Sequence, residues 1–137
     1  MSGLRQSHKV LIIDDAQNVA DTLALIFSKD GYDPRVAYSA EDAIEIIATW
    51  VPDLAIIDVV LPRMNGLEFA LVLKENHPDC RLLLFSGEEA TAELVARAAK
   101  SGNFFEVLAK PVHPAYILEQ AANLLSFNQT GYSGNSA

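Results

Sequence analysis

The hydrophobic positions of this chain form short, nearly continuous runs that alternate with longer segments of helical spacing. The runs lie at Val10–Ile13, Leu54–Ile57 and Leu82–Phe85, with weaker candidates at Arg35–Tyr38 and Val107–Leu108. Such runs are typical of strands that are covered by helices on both faces, because neither face then needs polar residues. The pattern therefore predicts five buried strands.

A segment of helical spacing follows each predicted strand. The first helix is expected to stop near Gly31, since glycine is favoured just beyond a helix C-terminus. Its apolar face is predicted to carry Val19, Leu23, Ile26 and Phe27.

Ser39 is predicted to cap the second helix, with Asp42 in its acidic first turn. This helix is expected to carry Ala43, Ile44, Ile47 and Val51 before Pro52. Three more helices are predicted over residues 67–77, 90–100 and 114–127. Strand followed by helix, five times over, implies an α/β fold with a parallel sheet and helices on both faces.

The chain has 137 residues, which suits one compact domain. This domain is expected to span residues 8–127, followed by a flexible polar tail over residues 128–137 and no output domain. The single Cys80 cannot form an internal disulfide and is expected to fill space near a strand start.

The net charge of −8 argues against binding to nucleic acid or to an acidic membrane surface, because both would repel the chain. No apolar run approaches the roughly 20 residues that a membrane-spanning helix needs. The N-terminus is polar and lacks the apolar core of a signal peptide. A cytoplasmic location is therefore expected by default.

Chemically versatile side chains follow four of the five predicted strands. They are Asp14 and Asp15 after the first, Asp58 after the third, Ser86 after the fourth and Lys110 after the fifth. Taken singly, each has an ordinary explanation as a turn or a helix cap. In an open α/β sheet, however, ligands bind beyond the carboxyl ends of the strands, so these side chains are expected to meet.

Three converging carboxylates would repel each other unless a cation lies among them. Oxygen ligands without a nearby Cys or His favour Mg²⁺ over zinc. Lys110 would add a positive charge and Ser86 a hydroxyl group. Together these groups can hold a phosphoryl group while a carboxylate acts as the nucleophile.

Four sequence blocks resemble the signature blocks of response regulator receiver domains. They are Leu-Ile-Ile-Asp14-Asp15, Asp58-Val-Val-Leu-Pro62-Arg-Met-Asn-Gly66, Phe85-Ser86-Gly87 and Leu-Ala-Lys110-Pro111. The resemblance covers about residues 9–125. It implies a doubly wound, flavodoxin-like sheet with strand order 2-1-3-4-5. It also implies a phosphorylation-dependent protein-interaction switch rather than an enzyme that acts on outside substrates.

The same resemblance implies a role for each site residue. Asp58 would accept a phosphoryl group from a histidine kinase, a phosphotransfer protein or a small phosphodonor. Mg²⁺ would be held by Asp14, Asp15, Asp58 and the backbone carbonyl of Val60, and no other cofactor is implied. Ser86 and Lys110 would contact phosphoryl oxygens. A downstream protein would bind the surface formed by about residues 90–127, and homodimerisation is left open.

One departure from the family pattern concerns the signalling switch. Receivers commonly carry Tyr or Phe three residues before the lysine, where this chain has Val107. Either Phe104 or Phe105 replaces that aromatic side chain, or the switch is absent and the rings pack elsewhere.

Three other functions are alternatives to that of a phosphoacceptor. A pseudo-receiver, which acts as a constitutive interaction module, is the strongest alternative because of Val107. A haloacid-dehalogenase-like phosphatase would carry an Asp-x-Asp pattern after its first strand. The adjacent Asp14 and Asp15 do not fit that pattern. A flavodoxin-like nucleotide-binding protein needs a phosphate-binding loop where this acidic pair stands.

Overall fold

The computed structural model describes residues 7–86, 96, 106–109 and 112–130, with side chains for 7–85, 96, 107, 108 and 112–126. The strands are β1 (Lys9–Ile13), β2 (Asp33–Ala37), β3 (Leu54–Asp58), β4 (Arg81–Ser86) and β5 (Glu106–Ala109). The helices among these residues are α1 (Gln17–Lys29), α2 (Ala40–Ile47), α3 (Gly66–Asn76) and α4 (Pro114–Thr130). Of the helix predicted over 90–100, only Ala96 is described, and it is helical.

The five strands form one sheet in the order β2-β1-β3-β4-β5, with every neighbouring pair parallel. This is the predicted order, and all five predicted strands are present. Ile13 pairs with Ile57, and Asp58 pairs with Phe85. The carboxyl ends of β1, β3 and β4 therefore lie at a common edge.

Alternate strand residues supply two separate cores, one on each face of the sheet. Val10 and Ile12 pack with α1 and α4, whereas Leu11 and Ile13 pack with α2 and α3. All four side chains are fully buried. The unbroken apolar runs in the sequence thus result from burial on both faces of the strands.

The buried face of α1 differs from the prediction. Ala20, Leu23 and Phe27 are buried, whereas Val19 is 37% exposed and Ile26 is half-buried. Positions 20, 23 and 27 form the stripe that faces the sheet. Val19 and Ile26 lie beside it, and they line a groove of about 580 Å³ between α1 and the start of α4.

The second helix begins as predicted and ends earlier. The Ser39 hydroxyl accepts a hydrogen bond from the Asp42 amide at 3.0 Å, as an N-cap should. The helix stops at Ile47, so the expected place of Val51 on this helix was wrong, and Val51 is 45% exposed. Trp50 is buried instead, with the Arg35 guanidinium 4.6 Å from its ring centroid.

The last helix is longer than predicted. It continues through Thr130, so residues 128–130 are helical rather than part of a flexible tail. Residues 131–137 lie outside the described part of the chain. Among the helices that the structure describes, none is both long and apolar enough to cross a membrane.

Candidate phosphorylation and metal site

Asp14, Asp15 and Asp58 meet at the carboxyl edge of the sheet. One carboxylate oxygen from each lies within 4.8 Å of the others. Asp14 and Asp58 are buried, whereas Asp15 is exposed. The central expectation from the sequence, that the acidic pair would lie next to Asp58, is confirmed.

Asp14 is held by hydrogen bonds at both its main chain and its side chain. Its amide donates to the Ala37 carbonyl at 3.1 Å, which ties the end of β1 to the end of β2. Its Oδ1 accepts a hydrogen bond from the Ala16 amide at 3.0 Å, so the chain turns directly into α1. The acidic pair is thus fixed by the turn between β1 and α1.

Asp58 is the last residue of β3, and the chain folds back around it. Its Oδ1 accepts a hydrogen bond from the Val60 amide at 3.1 Å. The Val59 amide donates to Phe85 of the neighbouring strand at 3.1 Å, and the Gly66 amide donates to the Val59 carbonyl at 2.8 Å. These contacts fix the rotation of the carboxylate and place the start of α3 against Asp58.

The start of α3 is secured by a capping box that the sequence analysis missed. The Asn65 side chain accepts a hydrogen bond from the Glu68 amide at 2.8 Å. In return, the Glu68 carboxylate accepts one from the Asn65 amide at 3.0 Å. An Asn followed three residues later by Glu is a recognised helix-start pattern and could have been found.

The acidic cluster fits a hard divalent cation. Its ligands are carboxylate oxygens, the class that Mg²⁺ and Ca²⁺ prefer. Three formal negative charges within 4.8 Å repel each other, and a cation bound among them would relieve that repulsion. The exposed Asp15 lies where an ion can enter from solvent.

The structure describes the other predicted site residues only in part. The main chain of Ser86 ends β4 and pairs with Ala109, the residue before Lys110. The Ser86 side chain, Lys110, Phe104 and Phe105 lie outside what the structure describes. Val60 is 46% exposed beside Asp58. Val107, where receivers commonly have an aromatic residue, is half-buried against the core on the α2 and α3 side.

A doubly wound sheet of this order, with an acidic cluster at its carboxyl edge, is the architecture of a receiver-type signalling domain. The family model for the response regulator receiver domain matches residues 10–122. The chain therefore belongs to the response regulator receiver domain family.

Individual relatives agree with this assignment. The response regulator MprA of Mycobacterium ulcerans is 32% identical over 90 residues, which cover 66% of this chain and 39% of that protein. The chain thus matches well under half the length of the curated relatives. A CheY-like receiver domain protein from Methanospirillum hungatei has the same fold, with a TM-score of 0.84 and 23% identity over 92% of this chain and 99% of its own. NtrX from Brucella abortus has a TM-score of 0.80 and 24% identity, over 96% of this chain and 32% of its own.

Proposed function

We propose that the domain is a phosphoacceptor: Asp58 takes a phosphoryl group with the help of Mg²⁺, and the product changes which proteins the domain binds. The observation that carries this proposal is the acidic cluster, in which Asp14, Asp15 and Asp58 offer oxygens within 4.8 Å of one another. A surface patch of acidic residues would not need two of its three carboxylates to be buried.

In the proposed reaction, a carboxylate oxygen of Asp58 attacks the phosphorus atom of the donor. A new oxygen–phosphorus bond forms as the bond from phosphorus to the donor breaks, and the leaving group keeps that electron pair. The hydrogen bond from the Val60 amide to Asp58 Oδ1 holds the carboxylate in one orientation, which favours such an attack. The remaining site groups would contribute by binding the metal ion or the phosphoryl oxygens.

Asp14, Asp15 and Asp58 would hold the metal ion, together with the backbone carbonyl of Val60. Bound Mg²⁺ would supply positive charge where negative charge builds up on the phosphoryl oxygens. Ser86 would donate a hydrogen bond to one phosphoryl oxygen and Lys110 would pair with another. Support for these two roles comes from the pairing of Ser86 with Ala109, because it brings the ends of β4 and β5 to the same edge.

The proposed partners follow from this chemistry. A histidine kinase, a phosphotransfer protein or a small phosphodonor would load Asp58 in the cytoplasm. The acyl phosphate would then shift the population of surface conformations over residues 90–127, where a downstream protein would bind. Because Val107 stands where receivers commonly carry an aromatic residue, either Phe104 or Phe105 takes part in that shift, or the shift occurs without an aromatic switch.

Intact-mass spectrometry after incubation with acetyl phosphate tests the proposal. With Mg²⁺ present, the mass should increase by one phosphoryl group, and excess EDTA should abolish the increase. Asp58→Asn should stay unmodified. No increase in the wild-type chain at millimolar Mg²⁺ would instead favour a pseudo-receiver that binds its partners constitutively.

A further inference from the structure

The short segment Tyr38–Glu41, which runs from the end of β2 into the first turn of α2, sends side chains towards both chain segments that follow the acidic cluster. Tyr38 reaches α1, which follows Asp14 and Asp15. Glu41 reaches the loop that follows Asp58. None of the three clustered carboxylates belongs to this segment, so its contacts come from outside the site described above.

The first contact fixes the position of α1. The Tyr38 hydroxyl donates a hydrogen bond to Asp21 Oδ1 at 2.7 Å. This bond raises the pKa of the Tyr38 hydroxyl, which therefore remains a donor at neutral pH. The helix receives no side-chain cap from Ala16 at its own N-terminus. Tyr38 thus anchors the helix whose first turn follows Asp15.

The second contact fixes the loop after β3. The Glu41 carboxylate accepts hydrogen bonds from the Met64 amide at 3.3 Å and from the Arg63 guanidinium at 3.4 Å. A hydrogen bond from its own main-chain amide lowers the pKa of Glu41, and the Met64 and Arg63 contacts add to this effect. The carboxylate is therefore charged at neutral pH and can hold both donors.

The backbone conformation of Arg63 indicates that this loop requires stabilising contacts. Arg63 has a φ angle of 62°, in the left-handed region that side chains other than glycine rarely adopt. Such a conformation is strained and persists where the surroundings fix it. Glu41 binds Arg63 and the next residue, so it stabilises the loop at the strained position.

We propose that Tyr38 and Glu41 are positioning residues that together set the separation between Asp15 and Asp58, and through it the affinity for Mg²⁺. This proposal rests on the proposed function, because it assumes that the acidic cluster binds the ion. The Tyr38–Asp21 and Glu41–Arg63 contacts are exposed, and the Glu41–Met64 hydrogen bond is part-buried. Exposed pairs contribute little to the free energy of unfolding. The effect should therefore appear in metal binding rather than in overall stability.

Calorimetric titration with Mg²⁺ of the double variant Tyr38→Phe, Glu41→Ala tests the proposal. We expect its Mg²⁺ affinity to fall about three- to tenfold, less than for residues bonded directly to a metal ligand. Its unfolding temperature in EDTA should stay close to that of the wild type. The matched control is Tyr116→Phe, Glu75→Ala, at exposed positions of α4 and α3, and it should bind Mg²⁺ as the wild type does.

Labelling with acetyl phosphate provides a second readout. In the double variant, the Mg²⁺ concentration that gives half the maximal rate should rise by the same factor as the calorimetric affinity falls. The rate at saturating Mg²⁺ should stay unchanged. Glu41→Gln, tested alone, should lose less affinity than Glu41→Ala, because glutamine keeps an acceptor oxygen for the Met64 amide.

The outcomes separate the two proposals. If the wild type binds Mg²⁺ and the double variant binds it equally well, the positioning role is wrong and the proposed function stands. A lower unfolding temperature at unchanged Mg²⁺ affinity would likewise reduce the two residues to a structural role. A wild type that does not bind Mg²⁺ would overturn the proposed function, and the positioning role with it.

Discussion

Gly66 packs directly against the main chain of Asp58. A Cβ atom at Gly66 would overlap the Asp58 carbonyl oxygen and lie 2.8 Å from Ile57 Cγ2. No real Cβ atom tolerates such contacts with backbone, so α3 can begin this close to β3 only with glycine in that position. Asp58, which ends β3, and Gly66, which begins α3, are thus held in direct contact, and a change at either position should affect the other.

Gly66→Ala should therefore damage both stability and the site. We expect a loss of about 3 kcal/mol in the free energy of unfolding, since the backbone must move to accept the methyl group. Urea denaturation measures this loss, and Mg²⁺ titration of the folded fraction should show weaker binding. Gly31→Ala is the control. Gly31 has a φ angle of 96° and open space around its Cβ position, so alanine there should cost about 1 kcal/mol and leave Mg²⁺ binding unchanged.

Asp15→Asn should have opposite effects on metal binding and on the stability of the metal-free protein. Removing one of three neighbouring charges should weaken Mg²⁺ binding more than about tenfold. In EDTA, the variant should unfold at a higher temperature than the wild type, because two unit charges 4 Å apart repel by about 1 kcal/mol even in water. Asp79→Asn, at an exposed position away from the cluster, should change neither quantity. An Asp15→Asn variant that is destabilised in EDTA would contradict the repulsion.

Asn65→Ala should measure the contribution of the capping box to α3. The variant loses the hydrogen bond from the Asn65 side chain to the Glu68 amide, which should cost about 1 kcal/mol in the free energy of unfolding. Asn65→Asp keeps an acceptor oxygen and should be close to the wild type. Equal losses in both variants, measured by urea denaturation, would show that the cap is not what stabilises the helix start.

Cys80 should be unreactive in the folded protein. The side chain is 4% exposed, and burial raises the pKa of its thiol from 9.0 to about 12. A thiol-specific reagent at pH 8 should label Cys80 only after urea unfolds the chain. The pKa of the Cys80 thiol is higher in the folded than in the unfolded chain. Its contribution to the free energy of unfolding should therefore be fully present below pH 9 and be lost as the pH rises towards 12. Cys80→Ala should lack this alkaline component, and fast labelling of the native protein would contradict the burial.

The sequence was most informative where many residues carried one pattern. The five strands and the meeting of Asp14 with Asp58 follow from apolar runs and from the rule that ligands bind at the carboxyl edge. The order of the strands was predicted from the resemblance to receiver domains. Local spacing was less reliable. Val19 fits a helical face as well as Ala20 does, and only the packing of α1 on the sheet distinguishes them.

Contacts between distant segments could not be predicted from the sequence. Glu41 and Met64 are 23 positions apart, and nothing in either local pattern indicates that they bond. The end of α2 was also missed, because Trp50 rather than Val51 turned inwards, beneath Arg35 of the neighbouring strand. Which side chain turns inwards and which distant segments bond depend on tertiary packing. Tertiary packing overrides the local preferences that can be recognised in a single sequence.

Locating the phosphorylated residue tests the central proposal most directly. An aspartyl phosphate is reduced by borohydride to homoserine, so the modified position can be read by mass spectrometry of peptides after labelling with acetyl phosphate and Mg²⁺. We predict homoserine at position 58 and no conversion in protein that was kept in EDTA. Conversion at a different aspartate, with residue 58 intact, would contradict it.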